Sequence, residues 1–210
     1  MDKLEIRVES PAATPAQGPS AEPQPQSQRF TEDSLIRIAD WVEDSITDGP
    51  GLRFTLFTQG CPHACPGCHN PQTHAVEGGR VVTLGSILDR IRANPLLDGV
   101  TLSGGDPFEQ AAPLAFLAEK IHELGLNVIT YTGYLYERLC APVGIERGWD
   151  KLLDQTDLLV DGKYIARLRD PLLLFRGSSN QRILDMAETR RTGAAVVVEE
   201  DRLRSGCFLY

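Results

Sequence analysis

The stretch TQGCPHACPGCHNPQ, residues 58–72, contains three cysteines in one predicted loop. The fold of the chain must hold these cysteines in position. Cys61, Cys65 and Cys68 follow the spacing C-x3-C-x2-C. Cysteines this close together indicate a metal or an iron-sulfur cluster more readily than a disulfide framework. Three thiolates are one short of a closed four-thiolate site, so the nature of the fourth position decides what the loop binds.

Two kinds of inorganic site are compatible with this spacing. Zinc would need a fourth ligand, and His63, His69 and His74 are all near enough in sequence to complete a Cys3His site. Zinc modules, however, usually take ligand pairs from separated segments, whereas these cysteines occupy one loop. Three thiolates can instead each hold one iron of a [4Fe-4S] cube and leave the fourth iron open. The iron-sulfur interpretation therefore uses the spacing better.

The composition is that of a globular protein that does not bind nucleic acid. The chain has 210 residues, of which 41% are hydrophobic and 24% charged, and this suits one domain with a sizeable core. A formal net charge of -8 would repel phosphate backbones, and no basic stripe offsets that repulsion.

The chain is expected to be cytoplasmic. Its first residues, MDKLEIRVES, lack the features of a secretory signal, and no segment is long and apolar enough to span a membrane. Thiols stay reduced in that compartment, and five cysteines are an odd number, so disulfides are disfavoured. Cys140 and Cys207 are interpreted as a small apolar residue and as a thiol in the C-terminal tail.

Both ends of the chain differ from its centre. Residues 1–30 form a Pro/Gln/Ala-rich extension that we expect to be disordered, because it is poor in aromatic and β-branched residues and cannot offset its chain entropy by burial. One ordered domain is predicted over residues 31–186. Residues 187–210 follow as a C-terminal extension of uncertain structure, which either adds a terminal strand in AAVVVEE or is mostly disordered.

Strand and helix patterns alternate within the ordered domain. A strand or hairpin is predicted in SLIRIADWVEDSI, and strands in LRFTLFTQG, GVTLSGGDP, NVITYTG and TDLLVDGKY. Helices are predicted in TLGSILDRIRAN, with Thr83 as the N-cap, and over residues 110–125, with Gly125 as the stop. This alternation predicts an α/β fold with mostly parallel strands. Eight βα units need about 250 residues, so a partial, open (β/α) barrel is expected.

Chemically unusual residues follow the ends of three predicted strands. Gly60 leads into the cysteine loop, residues 104–106 (GGD) follow a second strand, and Asp161 and Lys163 follow a third. The carboxyl ends of parallel strands meet at one edge of a sheet, where such folds bind their ligands. We therefore expect one ligand site at that edge.

These motifs resemble those of the radical S-adenosylmethionine superfamily. The segments DGPGLRFTLFTQGCPHACPGCHNPQT, TLSGGDPF, YTGY, LLVDGKY and LFRGSSNQRI run in order over residues 48–183 and look like the activases of anaerobic ribonucleoside-triphosphate reductases. The resemblance implies a radical SAM domain over residues 31–186, folded as a partial barrel of the radical SAM type.

The resemblance also assigns roles to the cysteine loop. Cys61, Cys65 and Cys68 match the ligands of a [4Fe-4S] cluster, whose open iron would be chelated by the amino and carboxylate groups of S-adenosyl-L-methionine. The adenine is expected against the backbone of residues 67–69, and Gly67 stands where many members of the superfamily have an aromatic residue. His69 either stacks on the adenine or is a polar loop residue.

Further roles follow for the other strand ends. Gly104 and Gly105 match a glycine pair whose backbone approaches the methionine amino group, where a side chain would keep ligand and main chain apart. Asp106 stands where many members have glutamate, and either reaches the ammonium through water or forms an Asp-Pro turn. Related activases place Asp161 and Lys163 near the methionine end, with Lys163 available to its carboxylate; a surface lysine is the alternative.

The segment FRGSSNQR matches the family pattern without suggesting a function. A polar loop that closes the barrel rim would explain Arg176, Ser178 and Asn180 equally well, so the sequence assigns them no role.

The resemblance implies a glycyl-radical activase. Such an enzyme cleaves S-adenosyl-L-methionine reductively and abstracts hydrogen from a glycine, here on the large subunit of an anaerobic ribonucleoside-triphosphate reductase. Its electron would come from a low-potential donor such as flavodoxin, and neither nucleic acid nor a membrane is an expected partner. Two alternatives stay open: a small radical SAM enzyme that acts on a metabolite, similar to 7-deazapurine synthases, and a zinc-stabilised interaction module without redox activity.

Overall fold

The computed structural model describes residues 29–205, and at its centre lies a seven-stranded sheet in the order β3-β1-β2-β4-β5-β6-β7. The strands are β1 (Leu35–Ser45), β2 (Arg53–Thr58), β3 (Arg80–Thr83), β4 (Gly99–Gly104), β5 (Asn127–Tyr131), β6 (Leu158–Asp161) and β7 (Arg182–Asp185). The central strands β2, β4, β5 and β6 pair in parallel, and β1, β3 and β7 pair antiparallel. Because β3 and β7 remain as edges, the sheet is open, as predicted.

The strand predicted before the DGPG turn is present, and two short strands of the sheet were not predicted. The segment before the DGPG turn is one long strand, β1, which forms an antiparallel hairpin with β2. The four-residue strands β3 and β7 were not predicted, since each has a polar or charged residue at both ends and gains its regular structure from its neighbour. β3 pairs with β1, and β7 pairs with β6.

The helices of the described chain connect the strands. They are α1 (Leu84–Ala93), α2 (Ala111–Glu123), α3 (Tyr136–Leu139), α4 (Pro142–Glu146), α5 (Trp149–Asp154), α6 (Met186–Thr192) and α7 (Glu200–Ser205). Thr83 caps α1, because its hydroxyl accepts a hydrogen bond of 3.2 Å from the Ser86 amide. The helix predicted over residues 110–125 begins one residue later, after a 3-10 turn. Across residues 29–205, no helix is long and apolar enough to cross a membrane.

The two faces of the sheet have separate apolar layers. On one face, Leu56, Leu102 and Val128 are fully buried against the layer formed by α1, α2 and α5. The alternate strand residues point to the other face, where Ile129 and Val160 belong to a second cluster. The large core therefore supports the sheet from one side and leaves the other side available for a cavity.

The C-terminal extension covers part of that second face. Val198 and Leu203 are buried in the cluster that contains Ile129 and Val160. The strand predicted in AAVVVEE is wrong, because this segment makes only a single bridge between Val197 and Leu184 before α7 begins. Residues 1–28 of the predicted N-terminal extension, and Cys207, lie outside the described residues.

Candidate functional site

A cavity of about 360 Å³ lies beside the carboxyl ends of the parallel strands. Its volume is within the range of about 300 to 1,000 Å³ that is usual for small-molecule sites. Six of the predicted site residues line it: Cys61, Cys65, Cys68, His69, Gly104 and Gly105. Four others are not part of its lining: Gly67, Asp106, Asp161 and Lys163. The cysteine loop and the glycine pair, which are distant in sequence, thus share one cavity.

The cysteine loop leaves β2 and is closed at its base by two backbone hydrogen bonds. The amide of Gly60 donates to the Thr73 carbonyl over 2.8 Å, and the amide of Cys61 donates to the His74 carbonyl over 3.1 Å. Within the loop, the Cys68 amide donates to the carbonyl of Cys65 over 3.1 Å. The loop is therefore a defined structure whose three cysteines are partly buried and free of disulfides.

The donor set fits an iron-sulfur cluster. Three thiols from one loop line one cavity, and thiolates are the ligands that such clusters take. In the part of the chain that the structure describes, no three His, Cys, Asp or Glu side chains converge closely enough to hold a single metal ion. A cube asks for a wider arrangement than one ion, because each thiolate binds a different iron. The three thiols of one loop therefore fit a cluster in which each of three irons takes one thiolate.

The thiols differ in their surroundings. Burial raises the pKa of the Cys61 thiol to about 11, although hydrogen bonding from the backbone amides of His63 and Ala64 acts in the opposite direction. Without metal, this thiol is protonated at neutral pH, so binding of iron would release its proton. A backbone amide also reaches the third cysteine, since the Asn70 N–H donates to Cys68 Sγ over 3.4 Å.

The neighbouring backbone leaves no room for a side chain at Gly104 or Gly105, whether or not a ligand is bound. Gly104, with φ of 95°, ends β4 so close to β2 that a Cβ on it would lie 2.5 Å from Phe57 Cα. A Cβ on Gly105 would lie 2.4 Å from the Gly60 carbonyl oxygen. Contacts this short do not occur for real side chains, so both positions must be glycine even before a ligand binds.

Asp106 faces the protein interior. Its fully buried carboxylate accepts hydrogen bonds from the amides of Phe108 and Gly133, each at 3.0 Å. His63 Nε2 lies 2.8 Å from the same carboxylate. The bond to Phe108 caps the 3-10 turn Pro107–Gln110, which is the Asp-Pro turn that the sequence offered as an alternative.

Asp161 and Lys163 are separated by the turn that follows β6. Asp161 is fully buried and is held by the Arg182 guanidinium, whose Nε donates over 2.9 Å, and by the amide of Tyr136 over 2.8 Å. The hydrogen bond to Asp161, followed by the one to Glu137, raises the pKa of Arg182. Lys163 is exposed. The two side chains are therefore in different environments although they are two residues apart.

The FRGSSNQR segment contributes Phe175, Arg176, Gly177 and Gln181 to the cavity lining. Arg176 lines the cavity and donates to the Gln181 carbonyl over 3.1 Å and to Glu200 of α7 over 3.0 Å. Ser178 is buried and accepts from the Ile165 amide over 3.2 Å. Ser178 is thus a structural residue, whereas Arg176 connects the cavity wall to the C-terminal helix.

Two histidines that the sequence interpretation set aside as loop residues also line the cavity. His63 does so through its position between two cysteines, and its side chain is only 6% exposed. The Nε2 atom of His74 is buried and has no hydrogen-bond partner among the described residues. The placement of His63 inside the CPHAC segment was the available signal, but its partner Asp106 lies too far along the chain for spacing to reveal it.

The sequence is similar to an iron-sulfur domain family and to two activating proteins. Residues 47–184 match the family described as 4Fe-4S single cluster domain. The anaerobic ribonucleoside-triphosphate reductase-activating protein of Salmonella typhimurium is 38% identical over 156 residues, which cover 70% of this chain and 96% of that protein. The pyruvate formate-lyase-activating enzyme of Staphylococcus aureus is 37% identical over 149 residues, which cover 67% of this chain and 57% of that protein.

A solved structure is similar over a smaller part. The crystal structure of QueE from Escherichia coli aligns with a TM-score of 0.39 and 16% identity, over 47% of this chain and 52% of that chain. A likeness this partial bears on neither fold nor function.

The family match and the Salmonella relative concern the same part of the molecule that forms the site. Residues 47–184 include the cysteine loop, the glycine pair and the end of β6. The relative is matched along nearly its whole length. The chain therefore belongs to the family of anaerobic ribonucleoside-triphosphate reductase-activating proteins and contains a 4Fe-4S single cluster domain.

Proposed function

We propose that the chain binds a [4Fe-4S] cluster through Cys61, Cys65 and Cys68 and uses it to generate a glycyl radical on an anaerobic ribonucleoside-triphosphate reductase. The observation that carries this proposal is that three thiols from one loop line the same cavity as the glycine pair at the end of β4. Such a cavity offers thiol ligands for a cluster on one side. On the other side, the glycine pair exposes its main chain to a small molecule.

The chemistry itself comes from the bound groups. When bound, the cluster would supply one electron for the reductive cleavage of S-adenosyl-L-methionine, which would yield methionine and 5′-deoxyadenosine as the target glycine loses a hydrogen atom. The chain contributes orientation and exclusion of water. Three cysteines leave one iron without a protein ligand, and we assign that iron to the amino and carboxylate groups of S-adenosyl-L-methionine. Gly104 and Gly105, whose main chain lines the cavity, are assigned to the amino group.

The adenine side of the site is proposed at the end of the cysteine loop. The rings of His69 and Tyr164 lie 5.3 Å apart between centroids, tilted by 44°, and both residues line the cavity. Flat side chains at this spacing can contact the face or the edge of a purine. We assign the backbone of residues 67–69, including Gly67, to the hydrogen-bonding edge of the adenine.

The methionine side is proposed at the ends of β4 and β6. Lys163 is exposed, and we assign its ammonium to the ligand carboxylate. Asp161 and Asp106 are already engaged by protein donors, so they support the site by fixing the strand ends. This division gives the exposed Lys163 to the ligand and gives the two buried carboxylates to the scaffold.

The protein target is proposed from the names of the relatives. The Salmonella relative is named for a ribonucleoside-triphosphate reductase, and the Staphylococcus relative is named for pyruvate formate-lyase. A second glycyl-radical enzyme is therefore the alternative target. We further propose that a low-potential donor such as flavodoxin reduces the cluster and that the reaction takes place in the cytoplasm.

The experiment that tests the proposal uses the full chain, purified without oxygen. Iron and sulfide are measured per chain, and the protein is then incubated with S-adenosyl-L-methionine, a reductant and the reductase from the same cell. We expect a glycine-radical signal by electron paramagnetic resonance, and none when pyruvate formate-lyase replaces the reductase. Cleavage of S-adenosyl-L-methionine without any radical signal would favour a metabolite as substrate. A colourless protein that carries zinc would overturn the cluster.

A further inference from the structure

Asp106 joins three segments beside the cavity. One carboxylate oxygen lies 2.8 Å from Nε2 of His63, in the middle of the cysteine loop, and accepts from the Gly133 amide over 3.0 Å. The other accepts from the Phe108 amide over 3.0 Å, and the Thr132 hydroxyl donates to the carboxylate over 2.9 Å. Both oxygens are engaged and the carboxylate is fully buried. Asp106 thus fastens the cysteine loop to the ends of β4 and β5.

The ring of His63 is held by packing as well as by this bond. It stands edge-on to Tyr134, with 4.4 Å between the ring centroids and an interplanar angle of 71°. Tyr134 in turn lies 4.5 Å from the buried ring of Trp149. His63 is therefore seated in the aromatic part of the core although it belongs to a loop.

The turn that carries His63 directs backbone amides at a cysteine. Ala64 has φ of 45°, a left-handed conformation that costs a non-glycine residue about 1 kcal/mol or more and persists only where its surroundings hold it. The backbone amides of His63 and Ala64, two and three residues after Cys61, act on its thiol by lowering the pKa against the effect of burial. Hydrogen bonds to the sulfurs are among the factors that set the reduction potential of an iron-sulfur cluster, because they favour the more negative, reduced state.

We propose that His63, anchored on Asp106, is a positioning residue that holds the turn of residues 62–64 against the Cys61 sulfur, so that the cluster is retained and its reduction potential is raised. This inference rests on the proposed function, since Cys61 has to be a cluster ligand. It also gives Asp106 a role beyond the Asp-Pro turn and in place of the proposed water-mediated contact with the ammonium of S-adenosyl-L-methionine: the carboxylate acts through His63.

The test measures the cluster, and not turnover, in the reconstituted full chain without S-adenosyl-L-methionine. His63→Ala is expected to shift the midpoint potential to more negative values and to speed iron loss to a chelator such as bathophenanthroline about 10-fold to 100-fold, the usual effect of removing a group that orients a metal ligand. His63→Gln keeps an N–H donor for Asp106, so its effects should be smaller.

Two further variants ensure that the test does not depend on His63 substitutions alone. A Cβ on Gly133 would lie 2.3 Å from His63 Cδ2, so Gly133→Ala displaces the ring without removing a polar group and should act in the same direction as His63→Ala. His122→Ala is the matched control. It removes another His–Asp pair, with 3.0 Å between His122 Nε2 and Asp157 Oδ2, and should leave both the potential and the chelation rate unchanged.

Different results would overturn different statements. Wild-type potential and chelation rate in both folded Gly133→Ala and folded His63→Ala would show that the positioning role is wrong, while the proposed function would stand. A wild-type chain that takes up no cluster would overturn the proposed function. Asp106→Asn with an unchanged potential but weaker binding of S-adenosyl-L-methionine would mean that Asp106 contacts that ligand directly.

Discussion

Arg53 Nε donates a hydrogen bond of 2.7 Å to the Thr101 hydroxyl across the β2–β4 pair, and neither side chain is exposed. The guanidinium also donates to the carbonyls of Val100 over 2.7 Å and Pro50 over 3.2 Å. Burial lowers the pKa of Arg53 to about 10, so the group is still charged at neutral pH. The parallel sheet is therefore built around a buried cation that hydroxyl and carbonyl oxygens solvate.

Arg53→Lys should destabilise the protein by about 2 to 3 kcal/mol. A lysine keeps the charge but loses the planar fork, so two or three buried oxygens lose donors worth about 1 kcal/mol each. Urea unfolding followed by circular dichroism measures the change. The exposed Arg138 gives the control, and Arg138→Lys should stay within about 0.5 kcal/mol of wild type. Equal stability of the two variants would contradict the solvation of Arg53 by the sheet.

Alanine at Cys61, Cys65 or Cys68 should abolish both the visible absorption of the cluster and the cleavage of S-adenosyl-L-methionine. Each removes one of three thiols, and the chain offers no fourth cysteine in that cavity among its described residues. Cys140 is exposed and lies outside the lining, so Cys140→Ala should keep both properties. Iron analysis and product chromatography provide the measurements. If all four variants lost activity equally, the ligand assignment would be wrong.

Gly104→Ala should be far more damaging than Gly125→Ala. Both glycines have a positive φ, 95° and 77°, so both substitutions carry the strain of a left-handed residue, about 1 kcal/mol. Gly125 has no atom within 4 Å of the added Cβ, whereas Gly104 meets the backbone of β2 at 2.5 Å. The difference in unfolding free energy between the two variants isolates the clash, and we expect it to exceed about 2 kcal/mol. Similar stabilities would mean that β2 and β4 can separate.

The elements that were predicted correctly are those whose apolar residues are buried in the core. The strands β2, β4, β5 and β6 and the helices α1 and α2 supply the large core, so their apolar spacing identifies them. β3 and β7 are short and lie at the edges, where pairing with a neighbour decides the conformation and the pattern carries little information. The valine run before α7 was read as a strand for its β-branched content, but it finds only one bridging partner.

In the candidate site, too, the features that depend on local sequence were predicted and the contacts that depend on the folded sheet were not. Residue type and order placed the cysteine loop and the glycine pair, because both depend on local spacing. The direction of the Asp106 carboxylate did not follow from the sequence, because its partners Thr132 and Gly133 belong to a loop that only the folded sheet brings near. Likewise, the engagement of Asp161 by Arg182 depends on the antiparallel pairing of β6 with β7.

The His122–Asp157 pair should make stability depend on pH. The hydrogen bond to Asp157 raises the pKa of His122, while burial and the charge of Arg190 oppose the shift. A pKa raised above the unfolded value of about 6.5 means that the pair stabilises the fold fully below that pH and loses its contribution as the pH rises through the folded pKa. His122→Gln should therefore cost more stability at about pH 5.5 than at about pH 8.5. Urea midpoints at both pH values test this, and a cost independent of pH would contradict it.

The two ends of the chain are not equivalent for recombinant work. Glu200 of α7 holds Arg176 at the cavity wall, and Leu203 is buried in the cluster against which Phe175, another wall residue, also packs. An affinity tag fused after α7 would therefore disturb the helix that holds these two residues in the cavity wall. A tag fused at the N-terminal end leaves these contacts of α7 unchanged, so metal-affinity purification of this enzyme should use that end.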